Sequence, residues 1–402
     1  MPRAWRRGGE AIVMNGGMKR AGRVAGAAAL AFWAVVAAGC SNGKGPVVVG
    51  AVYDLTGSQA ALDGPSARGA RLAAEEVNRN GGVLGRPVDL VVVDGESEPD
   101  VVRTRTAELL QQHPTTAGVV GLSDTNMVLA AAPVAAADAR VFLTSGATSP
   151  LLPAQVPQWL FLACFGDNVQ AAAAAEWIFT TRGARTASIA WSTSNDYTRL
   201  LQKYFATRFE QLGGRIVSSV GYDPATVDAA ALAGLAPADV IFLSAQPDDA
   251  IAVAALLRGA GVTTPILGGD AFDTSAWTAH PALGNVWFTT HAYLGADSTD
   301  ARVLAFRALY LGAYPNSEPD AFTALGYDAT QLLLDAIERA GSDDPKDVRE
   351  ALAATKDFPG ITGTISYGPG DRIPMKSVTI LAIDGGAERF VTSIVPRSVP
   401  AP

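Results

Sequence analysis

The sequence predicts an α/β fold with parallel-rich sheets, and two features of the chain support this prediction. From Pro46 onward, short runs of Val, Ile, Leu and Phe alternate with longer segments whose apolar residues recur at helical spacing. The strand segments are continuously apolar, which is typical of strands covered by helices on both faces. Because 402 residues are too many for one ordinary hydrophobic core, we expect two domains of this kind.

The first run of this pattern contains four strands separated by three helices. In the first helix Ala70, Ala73, Ala74 and Val77 share one face, and a pair of glycines ends the segment. The predicted strands, with their loops, are 46–57, 86–97, 116–121 and 140–146, and the predicted helices are 66–82, 99–113 and 124–139.

The alternation then starts again, which predicts a second domain of similar construction. We expect strands at 186–192, 215–223, 239–245, 264–270 and 285–292, and helices at 169–183, 197–214, 228–235 and 248–261. The last part of the chain predicts helices at 299–314, 319–340 and 345–355, and strands near 362–367, 376–383 and 388–394.

The charge distribution argues against a nucleic-acid partner. The formal net charge is −8, but residues 1–39 contain six basic side chains and only one acidic side chain. The remainder therefore carries 25 basic against 38 acidic side chains. Since phosphate binding depends on Lys and Arg, we expect no nucleic acid as a partner.

The N-terminus resembles a bacterial export signal. A basic region (Lys19, Arg20 and Arg23) precedes the short apolar run Val24–Ala38, which is below the ~20 residues needed to span a bilayer. Ala37-Ala38-Gly39-Cys40 resembles a lipobox. We therefore predict a signal peptide over residues 1–39, lipidation of Cys40, a linker over 40–45, and a lipid-anchored protein in the periplasm or on the outer face of the membrane.

The cysteine content predicts no disulfide. Cys40 and Cys164 are the two cysteines of the sequence, and a lipidated Cys40 would leave Cys164 without a partner. Cys164 lies in the apolar stretch "WLFLACF", where it is expected to be a small buried side chain.

The stretch "FLTSGATSP", Phe142 to Pro150, passes from an apolar strand directly into hydroxyl side chains and a glycine. One interpretation is a turn, which Ser, Thr and Gly favour. The other is a place where backbone N–H groups and hydroxyls bind a small anion at the end of a strand.

Several motifs in fixed order resemble one family. The stretch beginning "LTGSQAALDGPSARGARLAAEEVNRNGG" resembles the opening of the Leu/Ile/Val-binding family, the periplasmic substrate-binding proteins of branched-chain amino-acid ABC transporters. The resemblance covers essentially residues 46–395. It continues through "GLSDTNMVLAAAPVAAA", "FLTSGATSP", "SNDYTRLL", "ILGGD", "ALGYDATQLLLDAIERAG" and "FPGITGTISYGPGDR".

The resemblance implies the type I periplasmic binding protein fold, with two Rossmann-like lobes joined by a three-crossing hinge and a ligand in the cleft between them. We place the crossings near Ala163, Thr290 and Leu381. Lobe 1 is then 46–163 with 291–381, and lobe 2 is 164–290 with 382–402. An open α/β sheet binds ligands outside the carboxyl ends of its strands, where "FLTSGATSP" lies.

The resemblance also implies a carboxylate-binding set, namely Thr125, Gly146 and Thr148. Each follows a predicted strand, and Asp124 and Thr125 precede a helix, where free N–H groups favour an anion. The alternative is that Asp124 or Thr125 only caps that helix.

Two further positions match residues that contact the ligand in the family. Asp270 in "ILGGD" matches the acidic residue that pairs with the amino group of the ligand, although an Asp after two glycines is also a common turn residue. Tyr197 in "SNDYTRLL" matches a tyrosine lining the cleft, and its alternative is an aromatic packed at a helix start.

Two positions depart from the family. Leu62 stands where the first loop commonly places an aromatic over the ligand side chain, and Gln246 stands where the other lobe often has a tyrosine. The pocket for the ligand side chain is therefore expected to differ. Gln246 could donate or accept a hydrogen bond from a polar ligand, or could be a solvated loop residue.

These observations predict a solute-binding protein rather than an enzyme. Its partners would be a small amino acid or related amide and the subunits of an ABC permease, and it would act as a monomer without a cofactor. His113, His280 and His291 lack the spacing of metal ligands, and no nucleophile–base motif is present. A sensor or regulator that uses the same fold to bind amides or other small carboxylates is the alternative.

Overall fold

The computed structural model describes residues 44–402. The predicted signal peptide and the predicted lipidation site Cys40 lie outside the described residues. Within residues 44–402, no helix combines the length and the hydrophobicity that a membrane span requires.

Residues 47–162 form a five-stranded parallel sheet with helices packed against it. Its elements in chain order are β1 (Val47–Tyr53), α1 (Ala60–Arg79), β2 (Val88–Asp94), α2 (Pro99–Gln112), β3 (Val119–Gly121), α3 (Thr125–Ala137), β4 (Phe142–Thr144), α4 (Leu152–Gln155) and β5 (Leu160–Leu162). The strand order is β2-β1-β3-β4-β5, and every neighbouring pair is parallel. The carboxyl ends of these strands therefore meet at one edge of the sheet.

Residues 167–290 contribute five parallel strands to a second sheet. Its elements are α5 (Asp167–Thr180), β6 (Thr186–Ser192), α6 (Asp196–Gln211), β7 (Arg215–Tyr222), β8 (Val240–Ser244), α7 (Pro247–Gly259), β9 (Ile266–Gly268) and β10 (Val286–Thr290). The pairs of β6 with β7, β6 with β8, β8 with β9 and β9 with β10 are all parallel.

The last part of the chain adds to both regions. Its elements are α8 (Ala301–Ala313), α9 (Ala321–Ala340), α10 (Pro345–Ala353), β11 (Phe358–Gly360), β12 (Gly363–Ile365), β13 (Val378–Asp384) and β14 (Ala387–Ile394). Helix α9 packs along α1 beside the first sheet. The antiparallel strands β13 and β14 extend the second sheet, which becomes β14-β13-β10-β9-β8-β6-β7.

Strand β1 shows why the strand segments are continuously apolar. Val49 and Ala51 pack in the hydrophobic core that contains α1 and α9 residues, whereas Val52, the residue after Ala51, packs in the core formed with α2 and α3. Successive strand residues point to opposite faces, so a strand covered on both faces needs apolar residues at every position. The predicted α/β class with parallel-rich sheets is confirmed.

One predicted helix is wrong. Residues 228–235 form turns rather than a helix. The Ala233 amide donates to the Ala230 carbonyl oxygen (3.2 Å), and the Leu235 amide donates to the Leu232 carbonyl oxygen (3.1 Å). The alanine-rich segment follows Pro224 and contains Gly234, and so short a stretch does not repay the cost of starting a helix.

The third crossing is predicted near Leu381. Leu381 lies inside β13, and residues 379–383 of this strand pair with β10 in the second sheet. A boundary drawn by sheet membership therefore falls before Val378 rather than at Leu381.

Two glycines bring α1 and α9 into close contact. A Cβ atom on Gly69 of α1 would overlap the carbonyl oxygen of Thr323, and a Cβ on Gly326 of α9 would overlap the carbonyl oxygen of Ser66. The two backbones therefore approach so closely that only glycine fits at either position. This contact fixes the late helix α9 against the first sheet.

We predict that Gly69→Ala destabilises the protein by about 2 kcal/mol or more, because the added methyl group overpacks the contact between two backbones. Gly64→Ala in the same helix is the matched control, since its Cβ would meet only the end of the Arg68 side chain at 4.0 Å. That control should be neutral or stabilising by roughly 0.5–1 kcal/mol, because alanine favours helices. Urea unfolding of both variants measures the difference, and equal free energies of unfolding would contradict the close contact.

Candidate functional site

A small cavity lies between the carboxyl ends of strands from the two sheets. It contains residues that follow β3 and β4 of the first sheet and residues that follow β8 and β9 of the second. The lining residues are Leu62, Ser123, Asp124, Gly146, Thr148, Tyr197, Gln246, Asp270, Ala271 and Phe322.

Six of the seven predicted ligand-binding residues line this one cavity, although they are spread over more than 200 positions of the sequence. Thr125 is the exception. It is buried at the first position of α3, and its hydroxyl has no hydrogen-bond partner among residues 44–402. Ser123, two residues earlier in the same "GLSDTN" motif, lines the cavity and was not predicted.

The segment after β4 is tied to the end of β3. The Thr144 hydroxyl donates to the carbonyl oxygen of Leu122 (2.8 Å) and accepts a hydrogen bond from the Ala147 amide (3.0 Å). Thr148, four residues further on, is 2% exposed and lines the cavity. Thr144 thus has the role that the turn interpretation predicts, while Thr148 stays a candidate for ligand contact.

Gly146 allows three walls of the cavity to approach one another. A Cβ atom at this position would lie 2.7 Å from the Ser123 hydroxyl oxygen and 3.1 Å from the ring of Phe322. Any larger residue would displace Ser123 or Phe322, so the glycine keeps the cavity compact. Phe322 was not predicted, because it belongs to α9, far along the chain.

Asp124 caps α3, as the alternative interpretation predicts. Its Oδ1 accepts hydrogen bonds from the amides of Asn126 (2.8 Å) and Met127 (3.2 Å). Burial raises the pKa of Asp124, and the hydrogen bonds from Asn195 and from the helix amides act in the opposite direction. The carboxylate therefore already occupies part of the anion-binding end of this helix.

The second oxygen of Asp124 connects the two sides of the cavity. Oδ2 accepts a hydrogen bond from Asn195 Nδ2 at 2.6 Å, and Gln246 Nε2 lies 3.5 Å away. Asn195 caps α6 through its own Oδ1, which accepts from the Tyr197 amide (2.7 Å). A single carboxylate thus links the N-terminus of α3 with that of α6.

Asp270 begins a short 3₁₀ turn after β9 and is 2% exposed. Its Oδ1 accepts hydrogen bonds from the Tyr197 hydroxyl (2.9 Å) and from Gln170 Nε2 (2.8 Å). Its Oδ2 lies 3.0 Å from Nε2 of His291. Three donors from separate parts of the chain therefore hold this carboxylate in the cavity wall.

Gln170 and His291 are functional candidates that the sequence did not predict. The Gln170 amide oxygen accepts from the Asp270 backbone N–H (3.1 Å) and from the Thr289 hydroxyl (2.8 Å), which fixes the orientation of the amide. From the sequence, His291 shows only that it lacks the spacing of a metal ligand. No local sequence signal marks Gln170. Their roles depend on helix α5 and the end of β10 meeting at Asp270.

His291 is held as a neutral donor to Asp270. Its ring stacks on Phe165, with 3.8 Å between ring centroids, and burial lowers the pKa of the imidazole. The neutral ring donates from Nε2 when its proton lies there. Asp270 is therefore hydrogen-bonded without being neutralised by an imidazolium.

Further buried carboxyl groups lie just behind the cavity wall. Burial, together with the charge of Asp270, raises the pKa of Asp167 to about 8. Burial also raises the pKa of Asp54 to about 7 and that of Asp63 well above its usual range. No Lys or Arg is among the ten lining residues. The site therefore favours a ligand that brings donors or positive charge.

The free ring nitrogen of His291, Nδ1, has no hydrogen-bond partner among residues 44–402, so within this part of the chain no hydroxyl or thiol is paired with it. In the same part of the chain, no group of three or more His, Cys, Asp or Glu side chains is placed to hold a metal ion.

Comparisons with known proteins agree on one family. The model described as periplasmic binding protein matches residues 46–387. A relative from Brucella melitensis, Leu/Ile/Val-binding protein homolog 3, is 26% identical over 348 residues, which cover 85% of this chain and 92% of the relative.

Two solved structures have the same architecture. LivJ of Streptococcus pneumoniae, a branched-chain amino acid transporter substrate binding protein in complex with isoleucine, is similar with a TM-score of 0.80 and 25% identity, covering 87% of this chain and all of LivJ. The leucine binding protein LivK of Thermotoga maritima is similar with a TM-score of 0.77 and 28% identity, covering 87% of this chain and 99% of LivK.

The matched family model covers far more than half of the chain, and the structural matches extend over both sheets. The predicted family and fold class are therefore confirmed: the chain belongs to the periplasmic binding protein family.

Proposed function

We propose that the chain is the extracytoplasmic solute-binding lipoprotein of an ABC importer and that it binds a small amino acid or a related compound. The observation that carries this proposal is the shared cavity, which joins Gly146 and Thr148 of one sheet to Tyr197 and Asp270 of the other. Relatives named for Leu, Ile and Val binding, and LivJ with its bound isoleucine, support an amino acid as the ligand.

The two walls are suited to the two ends of an amino acid. Ser123 and Thr148 offer hydroxyls to the ligand carboxylate, and Gly146 lets the ligand approach the backbone. Asp270 offers a carboxylate to the ligand ammonium, with Tyr197 beside it. A charged ligand group in a cavity closed to water needs such a partner.

We further propose that the cavity closes by hinge motion of two lobes. Lobe 1 would contain residues 46–163 and the chain from 291 to the start of β13, and lobe 2 would contain 164–290 and the chain from β13 onward. The hydrogen bond of Asn195 to Asp124 joins the two lobes in this division and would favour the closed arrangement. A ligand that contacts both walls would add to it.

Export and lipid anchoring at Cys40 complete the proposal, supported by the basic region, the apolar run and the sequence Ala37-Ala38-Gly39-Cys40. A tethered binding protein would stay close to the permease subunits that receive its ligand.

The ligand contact at Asp270 can be tested with Asp270→Asn, which keeps the shape of the side chain. A panel of amino acids, measured by calorimetry, identifies a ligand, and its des-amino carboxylic acid serves as the control ligand. The substitution should weaken the amino acid by about 30-fold or more, because breaking a buried charge pair costs roughly 2–5 kcal/mol. The des-amino acid should bind equally to both proteins. Equal losses for the two ligands would show that Asp270 only supports the fold.

Closure can be tested at Asn195. Asn195→Ser keeps a capping hydroxyl for α6 but is too short to reach Asp124, and Asn195→Asp keeps the cap while facing one carboxylate with another. Both variants lose a charge-assisted hydrogen bond, of the kind worth about 1.5–3 kcal/mol, so the ligand-free protein should open. Small-angle scattering should show a larger radius of gyration, more so for Asn195→Asp. Unchanged scattering curves would rule out this bond as a closing contact.

Anchoring can be tested by expressing the full chain and Cys40→Ser. The wild-type protein should partition with membranes, because an acylated cysteine inserts its chains into the bilayer. Cys40→Ser should be released or left unprocessed. A wild-type protein that stays in the soluble fraction with residues upstream of Cys40 intact would overturn the proposed anchor.

A further inference from the structure

Gln246 presents an unused hydrogen-bond acceptor at the cavity. Its side chain lines the cavity but does not cap α7, the helix that it precedes. The amide oxygen Oε1 is buried and has no hydrogen-bond partner among residues 44–402. Buried polar groups in native proteins are nearly always paired, so this acceptor is a position at which a ligand donor would be paired.

The neighbouring Asp124 fixes which end of the amide is free. Asp124 is a carboxylate that only accepts when ionised, and the nitrogen Nε2 of Gln246 lies 3.5 Å from its Oδ2. The reversed amide would place two acceptors against each other. The carbonyl oxygen is therefore the free end, and it is the acceptor in this corner of the cavity that would pair with a ligand donor.

The cavity is less well suited to a ligand with an aliphatic side chain. The apolar lining residues are Leu62, Ala271 and Phe322 with Gly146, and no aromatic residue stands at position 62. A purely aliphatic ligand side chain would cover the Gln246 oxygen without bonding to it and would leave that oxygen unpaired. An acidic ligand side chain would face Asp124 with no Lys or Arg in the lining.

We propose, resting on the amino-acid-binding function above, that the ligand is a small amino acid whose side chain carries a hydroxyl or primary amide, and that Gln246 selects it over an aliphatic amino acid of the same shape. A donor on the ligand side chain forms a hydrogen bond to Oε1 of Gln246, which then has a partner. Asp124 keeps the Gln246 amide oriented and excludes acidic side chains.

The test compares ligands that differ in this one feature. Threonine and valine have the same shape but carry a hydroxyl or a methyl group, and asparagine and leucine form a similar pair. Calorimetry on the wild-type protein should show threonine binding at least about 10-fold tighter than valine, or asparagine at least about 10-fold tighter than leucine, because a site built for a donor rejects the analogue without it. Aspartate should bind weakly or not at all.

Two variants and a matched control separate selection from folding. Gln246→Met keeps the length of the side chain and should reduce the preference for the donor-bearing ligand to near unity, and Gln246→Ala should do the same if methionine packs poorly. Gln59→Met is the control. Gln59 also has a buried, unpartnered Oε1 but does not line the cavity, so this variant should keep the wild-type preference.

The outcomes distinguish this proposal from the one on which it rests. If valine or leucine binds as tightly as its polar counterpart, or if Gln246→Met and Gln246→Ala keep the wild-type preference, the selection by Gln246 is overturned while amino-acid binding stands. If no amino acid binds the wild-type protein, amino-acid binding itself is overturned, and the selection with it.

Discussion

The buried carboxylate of Asp270 is the constraint on which one wall of the cavity depends. A carboxylate shielded from water is costly unless donors surround it, and here the donors come from α5, α6 and the end of β10. These elements can meet only when the second sheet is assembled in its observed order. The Asp270 carboxylate is thus held by long-range structure rather than by the short loop that carries it.

The first sheet supports its wall in a different way. There two carboxyl groups hold the loop after β1 by hydrogen bonds. The Asp54 amide donates to Oδ2 of Asp63 (2.8 Å), and the Ser97 amide donates to Oδ1 of Asp54 (3.0 Å). Burial raises the pKa of both carboxyl groups, and that of Asp54 reaches about 7. They therefore act near neutral pH as hydrogen-bonding groups that fix these loops, and neither of them lines the cavity itself.

What could be predicted from the sequence follows from the physics of strand ends. Parallel strands place their carboxyl termini at one edge, so residues directly after a predicted strand, such as Thr148 and Asp270, could be assigned to a common site. Ser123 also follows a predicted strand, in the same motif as Thr125, but the resemblance implied Thr125. Gln170 and Phe322 carry no such signal, because each lies on a helix that reaches the cavity only through tertiary packing.

The same limit applies to the fold. The strand–helix alternation is local, and it predicted the elements well because the central strands, such as β1, β3 and β8, are buried on both faces. The contact of Gly69 with the backbone of α9 joins parts of the chain about 250 residues apart, and a glycine inside a helix does not reveal its partner. The segment 228–235 failed for the opposite reason, since its helix-forming alanines are too few between Pro224 and Gly234 to hold a helix without packing.

Asp124 shows how specificity and closure can depend on one side chain. Its Oδ1 is committed to the amides that begin α3, so only Oδ2 is free to face the cavity, and that atom already binds Asn195 across it. Gln246 approaches the same atom more distantly, at 3.5 Å. A ligand donor at Gln246 would therefore strengthen a network that already joins the two sides, because hydrogen bonds in a chain polarise one another. An aliphatic ligand would fill the same space without joining the network. In the function proposed here, the choice of ligand and the stability of the closed arrangement would therefore be governed by the same few polar atoms.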